Sequence, residues 1–94
     1  MMIKWLEDAI YDLEALHQYI SQDNHIAANR VAKRILEAIE LLPGQPGIGR
    51  QGRVFGTREL VVSDTPYIIP YRVKKGIIEI LRVFHSSMQW PEEL

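Results

Sequence analysis

Five arginines and one histidine carry most of the chemistry open to this chain: Arg50, Arg53, Arg58, Arg72, Arg82 and His85. An imidazole can take up or release a proton near neutral pH. Guanidiniums bind carboxylates and phosphates through paired N–H bonds. Arg58, Arg72, Arg82 and His85 lie inside apolar, strand-like runs. An unpaired buried charge costs several kcal/mol or is neutralised. These residues therefore either pair internally or form a working face. Arg58 leads the candidates, because it stands where a glycine-rich loop meets the first of three strands.

The elements that must position them follow from periodicity. Residues 2–5 suit a short strand. Leu6, Ala9, Ile10, Leu13, Leu16 and Ile20 form one apolar stripe, which predicts a helix over about 6–22. Glu7, Asp8 and Asp12 fall in its first turns and suit the positive end of the helix dipole. Asp23-Asn24 breaks the pattern and supplies an N-cap. Ala28, Val31, Ile35, Ala38, Ile39 and Leu42 define a second helix from about 25 to 42, ended by Pro43-Gly44. The short link predicts an antiparallel hairpin. Residues 43–57 form a long loop, a length that is usually functional or mobile.

Within that loop, Gly47-Ile48-Gly49-Arg50-Gln51-Gly52 matches G-x-G-x-x-G. The context is inverted, because a helix precedes it and a strand follows. No phosphate would meet a helix N-terminus there, so no nucleotide is expected. Three strands follow over about 58–62, 67–73 and 77–85. The Lys75-Gly76 turn is short enough for a hairpin. Ile78, Ile80 and Phe84 would share one face of the last strand, and Ile77, Leu81 and Val83 the other. That pattern suits a central strand, or a sheet whose open face a partner covers. Pro70 removes a ladder donor from the middle strand and predicts a bulge or irregular pairing. The fold class is α+β: an N-terminal strand and an α-hairpin packed on a C-terminal antiparallel β-sheet.

At 94 residues the chain predicts a single domain spanning 1–94, with a thin core. Cysteine is absent, and no spacing suits a metal. No cofactor is expected. Met1-Met2-Ile3-Lys4-Trp5 leads directly into acidic helical sequence, so no signal peptide is expected. No apolar run reaches the roughly 18–20 residues of a membrane span, and the cytoplasm is the expected compartment. Net charge is −1, unevenly spread. Residues 43–75 hold six basic and two acidic residues, a balance of +4, whereas residues 1–42 hold four and seven, a balance of −3. A local patch of this kind attracts phosphate or an acidic partner. It is weak beside domains that bind nucleic acid unaided.

Several residues also have plainer readings. His85 ends an apolar strand and can be a hydrogen-bonded structural histidine. His17 flanks the first helix stripe and suits packing. Arg72 and Arg82 can pair with Glu59 and Glu79 across neighbouring strands. Lys74-Lys75 suits a solvated turn. Tyr67 and Tyr71 suit the core or a sheet face. Trp5 and Trp90 suit packing, although a terminal Trp can also anchor a partner.

The order strand, helix hairpin, glycine-rich loop and three-stranded meander resembles the RelE/ParE family, the toxins of bacterial type II toxin–antitoxin pairs. The resemblance runs through Trp5, Ala9 and Asp12-Leu13, Tyr19-Ile20, Ala27-Ala28, Pro46-Gly47 and Gly49-Arg50. Its most specific part is Gly56-Thr57-Arg58-Glu59-Leu60, Tyr71-Arg72-Val73, Leu81-Arg82-Val83-Phe84-His85 and Gln89-Trp90-Pro91. His25 stands where relatives often carry Pro, at a helix position whose N–H is not needed.

Membership would imply growth inhibition, often with plasmid stabilisation, neutralised by a cognate antitoxin that wraps the toxin. The partners would be that antitoxin and a cellular target. Operator DNA would be reached only through the antitoxin, and a homodimer or a toxin–antitoxin hetero-oligomer would form. Two targets are open. ParE-like members bind DNA gyrase and trap its cleaved-DNA complex without chemistry of their own; Arg50, Arg53, Arg58, Arg72 and Trp90 would bind the target. RelE-like members are ribosome-dependent mRNA endonucleases; His85 would be base or acid, with Arg58 and Arg82 on the developing charge. Several nuclease members carry Arg where this chain has Ile68, which removes a phosphate clamp. His85 recurs in both branches and does not decide. The mild acidity and Ile68 favour the gyrase branch.

Overall fold

The computed structural model describes residues Met1–Leu94. Strand β1 (Met2–Trp5) leads into helices α1 (Glu7–Ser21) and α2 (His25–Glu40). Strands β2 (Arg50–Gln51), β3 (Arg58–Val61), β4 (Tyr67–Lys74), β5 (Ile77–Ile80) and β6 (Phe84–His85) follow. Asn24 caps α2 as expected: its side-chain oxygen accepts from the Ala27 amide at 3.0 Å. His17 Nε2 and Asn29 Oδ1, 2.7 Å apart, tie the two helices together. No helix is long and apolar enough to cross a membrane.

The strands form one sheet in the order β1-β5-β4-β3-β2. The meander β3-β4-β5 is antiparallel, and Lys75 and Gly76 turn it with φ of 52° and 77°. Positive φ at both positions is what a type I′ two-residue hairpin turn requires. Strand β1 joins the edge parallel to β5, so the sheet is mixed. The chain then enters α1 with the Leu6 amide bonded to the Ile80 carbonyl at 3.0 Å. One sheet face supplies Leu60, Val62, Ile69, Tyr71, Ile78 and Ile80 to the core, against Ala9 and Leu16 of α1 and Ile35, Ile39 and Leu42 from α2 and its end.

The predicted continuous strand over 77–85 is broken. Strand β5 pairs with β4 as Tyr71↔Ile80, whereas β6 pairs as Ile68↔Phe84. Leu81, Arg82 and Val83 thus face only Ile69 and Pro70, one residue too many for an even ladder. This is a β-bulge, and it sits opposite Pro70, which has no N–H to give. The Pro70 carbonyl still accepts from the Leu81 amide at 3.0 Å. The extra residue reverses the alternation of all that follows. Phe84 therefore lies on the face away from the helices, opposite Ile68, rather than on the face of Ile78 and Ile80. Val83 joins the core instead.

Candidate functional site

The second sheet face is built around a buried acid. Alternation places Glu59, Ile68, Pro70, Arg72, Glu79 and Phe84 on this face. Glu59 is 2% exposed and is held by both arginines of the preceding loop. Its Oε1 accepts from Arg50 Nε at 3.1 Å, and Nη2 of the same guanidinium lies 3.0 Å away in the ion pair. Its Oε2 accepts from the Arg53 amide at 2.8 Å and from Arg53 Nε at 3.2 Å. Burial pushes the Glu59 carboxyl up. The Arg53 amide and the two guanidiniums outweigh burial and hold it below the usual carboxylate range. Burying this carboxylate is tolerable because both oxygens are hydrogen-bonded and two guanidiniums pair with it.

The Arg53 guanidinium also lies over the Trp90 ring, 3.8 Å from its centre. Trp90 meets Phe84 edge-on at 4.9 Å. The tail thus folds back onto the face that the sequence left open, and Trp90 is packed. Its indole N–H is buried without an acceptor.

Arg58 faces the helix side, paired across the ladder with Tyr71. Both reach into the loop. Arg58 Nη1 donates to the Gly49 carbonyl at 2.8 Å and the Gly47 carbonyl at 3.3 Å. The Tyr71 hydroxyl donates to the Pro46 carbonyl at 2.8 Å and accepts from the Gly49 amide at 2.9 Å. A side chain at Gly49 would stand 2.6 Å from a Tyr71 ring carbon, so only glycine allows this approach. The stretch that mimics a nucleotide motif is instead held by a tyrosine and an arginine. It continues into β2, which pairs with β3.

The other cations have acidic or backbone partners of their own. Arg72 Nε donates to Glu79 Oε1 at 2.6 Å; that bond, against some burial, draws the Glu79 carboxyl down. Arg82 does not pair with Glu59 or Glu79. It projects from the bulge to Asp12 of α1, at 2.7 Å and 3.0 Å. The bond to Asp12 raises the Arg82 pKa against the opposing effect of burial. Asp12 Oδ2 also accepts from the Val83 amide at 3.0 Å, satisfying a donor in the bulge.

His85 is exposed. Its Nδ1 accepts from the Ser87 amide at 3.1 Å and lies 2.7 Å from the Ser87 hydroxyl. Its ring meets Tyr67 edge-on at 5.4 Å. Burial, with the nearby Tyr19, raises the Tyr67 pKa. His85 is opposite Tyr67 and Arg58 opposite Tyr71. Those two positions are four residue steps apart on β4, about 13 Å along the strand.

The structure thus brings Arg50, Arg53 and Trp90 together around Glu59 and Phe84. Arg82, bound to Asp12, also lies over the Phe84 ring, 4.7 Å from its centre; Arg58 and Arg72 line one notch beside the β2–β3 loop, and His85 stands apart from that notch at the other end of β4. The roles of three residues are not visible in the sequence. From the sequence Glu59 reads only as a cross-strand partner of Arg72 or Arg82, whereas Arg50 and Arg53 hold it. Asp12 reads as a dipole residue until the bulge is known. Phe55, fully exposed at the tip of the β2–β3 loop, lies in no periodic pattern and gives no signal.

Comparison with known proteins agrees with this architecture. Residues 3–90 match the family described as ParE toxin of type II toxin-antitoxin system, parDE. A candidate toxin of Sinorhizobium fredii, Y4kP, is 46% identical over 92 residues, covering 98% of this chain and 95% of that protein. Toxin RelE2 of Caulobacter vibrioides is 38% identical over 85 residues, covering 90% and 94%. A solved chain from the chromosomal ParDE toxin–antitoxin system of P. aeruginosa superposes with a TM-score of 0.80 at 32% identity, covering 90% of this chain and 95% of that one.

The fold is that of an α+β toxin of the RelE/ParE type. The chain belongs to the ParE toxin family of type II toxin–antitoxin systems, and its partner is accordingly a cognate antitoxin.

Proposed function

We propose that this toxin arrests growth by binding DNA gyrase and trapping the cleaved-DNA complex, with no bond chemistry of its own. The observation that carries the reading is the dispersal of the groups a nuclease would need in one place. Transfer of a scissile phosphate needs a base, an acid and cations within hydrogen-bond reach of the same few atoms. Here His85 and Arg58 are about 13 Å apart along β4, and Arg82 is bound to Asp12. Ile68 is buried beneath this architecture and offers no clamp. A binder needs only complementary surface, and the +4 segment over residues 43–75 (six basic, two acidic) supplies it. Arg50, Arg53, Arg58 and Arg72 remain the target-facing cations in this reading, with Trp90 supporting Arg53 from within. Operator DNA is reached through the antitoxin, in a toxin–antitoxin hetero-oligomer in the cytoplasm.

The second reading, a ribosome-dependent mRNA endonuclease using His85 with Arg58 and Arg82, draws on the relative named Toxin RelE2 and on the exposed position of His85. The variant His85→Ala separates the two. The gyrase reading expects it to arrest growth as the parent does. Loss of arrest in a folded His85→Ala protein, with the parent cutting mRNA on ribosomes, would favour the nuclease.

A further inference from the structure

The loop between β2 and β3 presents one side chain wholly to water. Phe55 is 102% exposed, the most exposed large apolar residue of the chain. A single exposed hydrophobe needs no explanation. Phe55 differs because its backbone is fixed and its surroundings form a patch. The Gly52 amide bonds to the Thr57 carbonyl at 2.9 Å, and the Thr57 amide to the Val54 carbonyl at 3.2 Å. The Thr57 hydroxyl donates to the same Val54 carbonyl at 2.6 Å. Val54 turns partly inward, and Phe55 is held outward. Beside it lies a notch of about 430 Å³, lined by Phe55, Arg58, Arg72 and Val73 with loop residues. Val73 is itself 42% exposed, and Lys74 and Lys75 continue the positive charge.

We propose that Phe55 is the anchor of a protein-binding surface. It inserts into an apolar socket on the partner, while carboxylates rimming that socket meet Arg58 and Arg72. An aromatic knob flanked by arginines is the composition of an interface hot spot. Its rigid loop lowers the ordering cost of binding. The charge favours a protein over a nucleic acid. Arg72 is already bonded to Glu79, and Arg58 to two carbonyls. The molecule as a whole carries −1, so the patch complements a few carboxylates better than a phosphate backbone. The inference rests on the proposed function in one respect, that the target is a protein.

The test uses the full chain as Phe55→Ser and Phe55→Leu, each prepared as its antitoxin complex and then freed. Immobilised gyrase is the probe, with antitoxin affinity, melting temperature and growth arrest measured alongside. Phe55→Ser is expected to weaken gyrase binding about 30-fold and relieve growth arrest. Phe55→Leu restores most of both, and antitoxin affinity and melting temperature stay at parental values. If the parent does not bind gyrase but folded Phe55→Ser still loses growth arrest, the gyrase reading falls and the anchor stands. Three results would overturn the proposal. The first is full growth arrest by Phe55→Ser. The second is weakened antitoxin binding with arrest intact, which would place Phe55 in the antitoxin interface. The third is Phe55-dependent binding of a single-stranded oligonucleotide, which would make the patch a base-stacking site.

Discussion

Arg82 reaches from the sheet to Asp12 of the first helix and donates two hydrogen bonds to its carboxylate, at 2.7 Å and 3.0 Å. The pair is half-buried: the side chains are 28% and 13% exposed. The same carboxylate takes the Val83 amide. One acid therefore fixes the bulge, and the bulge sets the face on which Phe84 and the tail sit. Asp12→Ala leaves a cation and an amide short of acceptors. It should cost about 1–3 kcal/mol, a fall in melting temperature of roughly 4–8 °C per kcal/mol for a chain of this size. Thermal unfolding followed by circular dichroism measures it. A melting point equal to the parent's would remove Asp12 from this role.

Acid should loosen the loop at Glu59. Its folded pKa lies below its unfolded value, which is about 4.3, so the unfolded chain binds the proton more tightly. The stabilisation is complete above the unfolded pKa and is lost as pH falls through the lower folded one. Melting temperature should therefore drop on acidification below about pH 4.3, and Glu59→Gln should flatten that limb while lowering stability at pH 7. An acid limb identical in parent and variant would assign the effect to other carboxylates.

The Tyr71 hydroxyl joins two loop groups, the Gly49 amide and the Pro46 carbonyl. Tyr71→Phe leaves the ring in place and removes both bonds, at about 1–3 kcal/mol for the groups left unpaired. Hydrogen exchange should quicken at Gly49 and its neighbours and stay slow in α1 and α2. Unchanged exchange at Gly49 would mean that β2 pairing alone orders the loop.

Trp90 closes the second sheet face through Phe84 and Arg53. Trp90→Ala should lower stability by about 1–3 kcal/mol, from lost burial and the cation–π contact. If Trp90 acts only through packing, Trp90→Phe recovers most of both stability and growth arrest. Recovered stability with lost arrest would show that the indole itself touches the target.

Much of this architecture was legible. Both helices, the Asn24 cap, the hairpin at Lys75-Gly76 and the irregularity at Pro70 follow from period, turn chemistry and the missing proline donor. Strand β1 was visible as a strand, but its parallel place beside β5 was not, because local pattern does not choose a partner. The slip at Leu81–Val83 was hidden for a similar reason. Every residue from Ile77 to Phe84 except Glu79 and Arg82 is apolar, so alternation could not reveal that the faces exchange. The site was less legible than the fold. Arg82 finds Asp12 70 positions away, and no spacing rule spans that distance. Phe55 acquires meaning only once its loop is seen to be pinned and Val73, Arg58 and Arg72 lie beside it.

On the function proposed above, this toxin acts by holding a protein, not by cutting RNA. The most direct measurement adds the purified toxin to gyrase, supercoiled plasmid and ATP, and quantifies cleaved DNA. Cleaved DNA is expected to rise with toxin, to persist with His85→Ala and to disappear on adding antitoxin. Unchanged gyrase activity, from toxin that still arrests growth and cuts mRNA on ribosomes, would contradict that function.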